Sequence, residues 1–489
     1  MEAGRLELVR LRRPQREPGA DPEHLTDIAL TDPSGTTPLG GRQSETATAC
    51  VTEIDGRPVS SFRLEGGKHV GAIGPPEGEV LERAIRVAIE LGIPVVGTVA
   101  SSGADVVEGI ASLHGWGRVA SALASASGVV PTILTVVGPA VSGPALLLGI
   151  ADVVVMTDDA FAFVTGPDVV RAFTGIDISN RVLGGAPMHG TRSGVASFVV
   201  PDEEGAREVV AAVLDYLPAN HLDDPPRVDT GDPVDRDCTR ASEVVPAQPT
   251  ASYDVRAVIE DVLDEHTFLE IRAGHAPNLV TGFGRLDGRP VGIVANQPHQ
   301  RAGTIDIEAS EKAARFVQWC DCFNLPIVTF VDTPGFEPGK DLEWRGMIRH
   351  GAELVYAYAA ASVPRVAVVL RKAYGGAYIV MDSKGLGNDW VGAWPNAEIA
   401  VMGAPGAVQI LHGRRVRAIE DPEARVQEQA TLEREYEDMF ANPYIAAERG
   451  FVDEVLAAVD TRRALAAAID RLSYKSEVRP TRRHGNTPL

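Results

Sequence analysis

The chain has 489 residues, 44% of them hydrophobic and 23% charged, enough for two or three ordinary domains with a sizeable buried core. Forty-six basic against 67 acidic side chains give a net charge of −21, which argues against nucleic acid or an anionic membrane as the main partner. Four scattered cysteines, Cys50, Cys238, Cys320 and Cys322, make no disulfide framework, and Cys320-Asp-Cys322 lacks the spacing of a zinc or redox pair, so no metal is expected.

In chain order, residues 1–50 are rich in Arg, Pro, Gly and Thr and read as a variable segment, without the apolar core of a secretory signal. DGRPV at Asp55–Val59 opens a first series of short β-branched runs, Pro94–Val99 and Thr132–Val137, alternating with amphipathic stretches such as Glu79–Leu91. After the second run, Ser142-Gly143-Pro144 leads into the apolar stretch Ala145–Ile150. Leu217 to Asp254 is rich in Pro and Asp and predicts a linker or wrapped segment, with the boundary near 245. DGRPV returns at Asp287–Val291, followed by Ser310–Phe323, Pro326–Val331 and Val366–Leu370. Gly375-Gly376-Ala377 then precedes Tyr378–Met381. No apolar run is long enough to span a membrane.

The second series repeats the first. DGRPV recurs at an offset of 287 − 55 = 232, Pro94 and Pro326 differ by 232, and Pro131 and Pro364 by 233. The chain therefore reads as a duplication, one unit over 51–245 and one over 246–489, each of β–α units with buried parallel strands. The offset aligns Gly375-Gly376-Ala377 with Ser142-Gly143-Pro144. Two glycines at a helix start cost stability, and backbone N–H groups there are unpaired and sit at the positive end of the helix dipole. A tight packing turn explains one such site, and a duplication can carry it into both copies. Two strand–turn–helix sites, each able to hold an oxyanion, suit a reaction with two carbonyl oxygens to stabilise.

Val331–Ala359, VDTPGFEPGKDLEWRGMIRHGAELVYAYA, followed by RKAYGGAYIVM (371–381) and AWPNAEIAVMGAPGAV (393–408), resembles the signature of the carboxyltransferase (β) subunits of biotin-dependent acyl-CoA carboxylases. FVTGPDVV, LGGAPMH and SGVA between Phe163 and Ala196 are similar to the N-terminal half of that family. The resemblance implies an α/β fold of two tandem crotonase-like superhelical domains of ββα units. It also implies a homohexamer whose active site lies between the N-terminal half of one subunit and the C-terminal half of another, and the scattered cysteines read as reduced thiols of a cytoplasmic protein. It further implies an acyl-CoA substrate, acetyl-CoA or propionyl-CoA, and biotin as cofactor. With no Met-Lys-Met attachment site here and no length for an ATP-binding domain, biotin is expected on a separate carrier served by a biotin carboxylase.

Carried onto this chain, the resemblance implies that the backbone amides of Ser142 and Gly143 face the thioester and those of Gly376 and Ala377 the biotin ureido oxygen. Gly103, Ala104, Gly166, Pro167 and Ile379 are the implied acyl-CoA-binding residues, and Tyr374 and Gly375 the biotin-binding ones. No catalytic side-chain base is then required, consistent with the lack of G-x-S-x-G, H-E-x-x-H or a P-loop lysine. Three features depart from the family: Ser142 for glycine, Pro144 without an N–H, and Asp105 where an arginine is usual. Ser142 read as a nucleophile has no partnered base visible in sequence. His350 on the signature helix, and Asp332 with Glu343, read as structural residues. An acyl-CoA decarboxylase α-type subunit and a non-catalytic assembly subunit of a carboxylase complex are the alternatives.

Overall fold

The computed structural model describes residues 37–38, 44, 46–67, 69–477, 480–481 and 483–488. Most of the variable segment expected over 1–50 lies outside these residues, and the first long strand begins at Ala47. Two eight-stranded mixed sheets repeat one topology. In the first, the antiparallel hairpin Ala47–Ile54/Arg57–Leu64 is followed by the parallel strands Val95–Ser101, Thr132–Val141, Val153–Thr157 and Phe198–Val200. In the second, Leu279–Leu286/Arg289–Asn296 is followed by Ile327–Thr333, Arg365–Tyr374, Trp390–Ala393 and Glu454–Val455.

The duplication holds at the level of register. Ser60 pairs with Val95 as Gly292 pairs with Ile327, and each central pair carries one irregularity, at Val99/Ser101 and at Val331/Thr333. The strands are β-branched and buried on both faces, as parallel strands between helical layers require. Helix Pro75–Leu91 starts at Gly74, whose amide donates to the Glu77 carboxylate (2.9 Å), and stops at left-handed Gly92. Its twin Ile307–Cys322 is capped instead by Asp306, which accepts from Ala309 N (2.9 Å).

One core joins the halves. Val59, Val96 and Ile133 of the first share a cluster with Val294, Phe316 and Trp319 of the second, together with the buried face of helix Glu203–Tyr216. Tyr216 stacks on Phe283 (5.7 Å between centroids), and Arg285 Nη2 donates to Asp215 (2.7 Å). The Pro/Asp-rich segment runs over the second half. Val228 N donates to Gly288 O (3.0 Å), and fully buried Arg462 binds Asp264 (2.7 Å) and the carbonyl of Pro233 (3.0 Å).

Candidate active site

Both central strands, Thr132–Val141 and Arg365–Tyr374, are ten residues long and carry their helix starts out past their neighbours. A three-residue strand flanks each end: Phe161–Phe163 beside Pro139–Val141, and Glu398–Ala400 beside Lys372–Tyr374. A loop flanks the other side, where Ile73 N donates to Gly103 O (2.8 Å) and, 232 residues on, Ile305 N donates to Gly335 O (3.1 Å). Local chemistry builds these turns. Gly375 sits at φ 58° and Ser142, its counterpart, at φ 62°.

At the second turn, Gly375 is fitted by necessity: a Cβ there would meet the Val401 carbonyl oxygen at 3.0 Å, in a backbone conformation that favours glycine. Gly376 is exposed and Ala377 fully buried, and as first residues of helix Gly375–Val380 neither amide has an acceptor within its own helix. Ile379 is 42% exposed beside this start, and Val401 is 76% exposed. The Tyr374 hydroxyl donates to the Glu398 carboxylate, and burial, then this carboxylate, push the phenol pKa upward. Tyr374 thus braces the turn through the short outer strand.

Asp332 holds the turn from beneath. Its fully buried carboxylate accepts from Arg371 Nε (3.0 Å), the Tyr253 hydroxyl (2.9 Å) and the Lys372 amide (3.2 Å). Burial raises its pKa, and Arg371 and Lys372 pull it back. Arg371 also donates to the carbonyls of Gln248 and Ala251 (2.8 Å each). Strand Arg365–Tyr374 is therefore tied to Ile327–Thr333 three residues before Gly375. Glu343 is exposed and is not a partner of Asp332. His350 contacts Glu311 (2.8 Å) and Glu353 (3.1 Å), while the Arg349 guanidinium lies 3.0 Å from its other nitrogen, a cation where a metal would need none.

At the first turn, one expectation is corrected. The Ser142 amide donates to the carbonyl of Phe163 (2.9 Å), so it is engaged in the outer strand and is not a free oxyanion donor. Gly143 is buried: a Cβ there would lie 2.8 Å from the Trp116 indole. Pro144 has no N–H. Of the other expected acyl-CoA residues, Gly103, Ala104, Gly166 and Pro167 gather around Ser142, while Ile379 lies in the helix of the second turn. Gly103, at φ 114°, lies so close that a Cβ on it would be 3.5 Å from Ser142 Cβ, with Ala104 next in chain. Gly166 caps helix Pro167–Thr174 against the Phe163 ring. Asp105 binds the His69 ring (3.1 Å) and the Val107 amide (2.9 Å). The His69 contact and the Val107 amide hold its carboxyl below the ordinary range, the amide contributing most. Thus Gly103, Ala104, Ser142, Gly143, Gly166 and Pro167 form one group and Tyr374, Gly375, Gly376, Ala377 and Ile379 another. Among the described residues no hydrogen bond or ion pair joins the two. Trp116, Phe163 and Val401 are the neighbours that sequence reasoning missed, because nothing local marks them.

Residues 44–487 match the family model described as the carboxyl transferase domain. The chain belongs to that family. It is 48% identical over 438 residues to the propionyl-CoA carboxylase carboxyltransferase subunit of Haloferax mediterranei, covering 89% of this chain and 84% of that one. It is 40% identical over 437 residues to the methylmalonyl-CoA decarboxylase subunit alpha of Veillonella parvula, with 89% and 84% covered. The solved hexameric transcarboxylase 12S, with methylmalonyl-coenzyme A bound, superposes with a TM-score of 0.89 at 39% identity, covering 96% of this chain and 92% of that one. The expected fold, two tandem crotonase-like units, is the one observed. The chain is a carboxyltransferase of the propionyl-CoA carboxylase type.

Proposed function

We propose that this chain moves a carboxyl group from carboxybiotin, borne on a separate carrier protein, to the α-carbon of a short acyl-CoA. Acetyl-CoA and propionyl-CoA are the proposed substrates. The observation that carries this reading is the duplicated strand–turn–helix, with an exposed backbone donor at Gly376 in one copy and the Gly103–Ser142–Gly166 rim in the other.

The second turn fits a ureido group: nothing lies nearer than 3.6 Å to a Cβ built on Gly376, and apolar Ile379 and Val401 flank it. Carboxybiotin supplies the activated carboxyl and, after its release, a ureido nitrogen able to take the α-proton. The residues of this chain then have two tasks. The Gly376 and Ala377 amides receive the ureido oxygen as charge develops on it, and the first turn receives the thioester oxygen. Holding both reactants in one geometry supplies much of the remaining rate enhancement. Ile379, apolar beside the donors, leaves the acyl pocket without a carboxylate.

The likeness to transcarboxylase 12S supports a homohexamer, with each active site shared between the first half of one subunit and the second half of another. The exposed apolar residues Val106, Val107, Ile110 and Phe173 in one half, and Trp344, Ile348, Val401 and Ile410 in the other, suit such an interface. The unit boundary near 245 and a cytoplasmic location belong to the same proposal. Among the described residues no helix is long and apolar enough to cross a membrane.

The test is reconstitution with a biotin carboxylase and a biotinylated carrier, following labelled bicarbonate into a panel of acyl-CoA esters. Label in malonyl- or methylmalonyl-CoA is expected. The likeness to the Veillonella decarboxylase subunit favours one second reading. Carrier-dependent release of CO2 from methylmalonyl-CoA without ATP, and no label uptake, would establish that reading instead.

A further inference from the structure

We infer that the side-chain hydroxyl of Ser142 is a catalytic hydrogen-bond donor to the thioester oxygen at the first turn, joining the Gly143 amide where Pro144 removes the next backbone donor. The inference rests on the reading of that turn as the acyl-thioester site, and it concerns which atom does the work there.

The duplication supplies an internal control. At the second turn Gly376 is exposed and Ala377 has an N–H, so backbone donors are present. At the first, two of the three corresponding amides are lost. That of Ser142 already donates to Phe163 O (2.9 Å) and Pro144 has no N–H to give, which leaves the Gly143 amide as the single backbone donor at the start of this helix. The exposed residue of the three is Ser142. Its hydroxyl caps no amide of helix Gly143–Ile150, and among the described residues it has no hydrogen-bond partner.

The backbone speaks to the same point. Ser142 holds φ 62° and ψ −125°, where its twin Gly375 holds φ 58°. Glycine adopts positive φ freely and serine does not. Glycine would therefore relieve this turn, as it does in the second copy, and the only group serine adds is CH2–OH. That group stands beside Gly103, whose lack of a Cβ leaves the space next to Ser142 Cβ open. A serine on a strained strand-to-helix turn also invites reading as a nucleophile. Here no partnered base is in place: among the described residues no hydrogen bond joins the Ser142 hydroxyl to a histidine or a carboxylate. An unactivated hydroxyl donates well and attacks poorly. Charge grows on the thioester oxygen as the α-proton leaves, so a donor there acts more on the transition state than on the bound substrate.

The experiment uses the full chain with its biotin carboxylase and biotinylated carrier, and compares Ser142→Gly and Ser142→Ala with wild type. Label transfer into acetyl-CoA gives kcat and KM, calorimetry gives acetyl-CoA affinity, and thermal melting at fixed protein concentration gives stability. A fall in kcat of about 10²-fold is expected in both variants, with affinity held within threefold. Ser142→Gly should melt at the wild-type temperature or higher, because the strain is relieved while the donor is lost. In a Pro144→Ala background, which restores an N–H, the same Ser142→Gly change should cost less than about tenfold.

A kcat within threefold of wild type in Ser142→Gly overturns the inference. So does a loss confined to acetyl-CoA affinity, an equal loss in the two backgrounds, or an acyl group found covalently on Ser142 by mass spectrometry. If wild type itself transfers no label and binds no acyl-CoA, the parent reading of the turn fails and this one with it. Transfer by wild type combined with an indifferent Ser142→Gly fails this one alone.

Discussion

Replacing Gly376 in two ways separates a backbone donor from a packing glycine. Its φ lies outside the positive region, and a Cβ built on it would find its nearest neighbour, the Phe336 ring, at 3.6 Å. That is ordinary van der Waals contact, so Gly376→Ala fits and keeps the N–H; turnover should stay within about threefold. Gly376→Pro occupies the same space at a helix start, where proline's φ is tolerated, and deletes the N–H. Loss of one oxyanion donor removes about 2.7–4 kcal/mol of transition-state stabilisation, or 10²–10³ in kcat. The neighbouring glycines do not allow this comparison. Alanine at 375 would sit at φ 58° with the Val401 oxygen at 3.0 Å, and alanine at 143 would meet the Trp116 indole at 2.8 Å. The assay is label transfer from bicarbonate to acetyl-CoA in the reconstituted complex, with melting temperature as the check on folding. A Gly376→Pro enzyme that folds and works within threefold of wild type would refute the assignment of this amide.

Three other outcomes are expected. Asp332→Asn leaves the Arg371 guanidinium, 3% exposed on its side chain, without its carboxylate, and should cost about 3–5 kcal/mol in denaturant unfolding at fixed protein concentration; a cost under about 1 kcal/mol would show that the carbonyls of Gln248 and Ala251 suffice. Ile379→Asp should shift the acetyl- to propionyl-CoA ratio of kcat/KM by about tenfold, the scale on which pockets read a methylene, and an unchanged ratio would move acyl choice to the Gly103 and Gly166 loops. Burial, with Lys312 and Arg272 nearby, depresses the His275 pKa against the opposing pull of the Thr191 carbonyl and Glu308. The unfolded chain therefore takes up a proton at about pH 6.5 that the folded chain refuses, so stability is complete above that pH and falls below it. His275→Gln should flatten that fall in unfolding curves taken from pH 7.5 to 5, and an unchanged slope would clear His275 of the effect.

The duplication, the parallel strands and both helix-start turns were legible in the sequence, because each is a local pattern. β-Branched runs, DGRPV and the paired turns recur at offsets of 232 and 233, and the register of Ser60 with Val95 and of Gly292 with Ile327 keeps that offset. The structural reading of Asp332 also held, since a carboxylate inside an apolar strand must find partners. Which partners it found was a matter for the fold: Tyr253 lies 79 residues away and Arg371 39. Tertiary structure likewise decided which amides at Ser142–Pro144 are free. The Phe163 carbonyl reaches Ser142 because a three-residue strand pairs with the end of Thr132–Val141, and Trp116, from a different helix, packs on the side of Gly143 where a Cβ would stand. Sequence shows where a backbone donor can exist; whether another group has already taken it depends on chain segments brought alongside from afar.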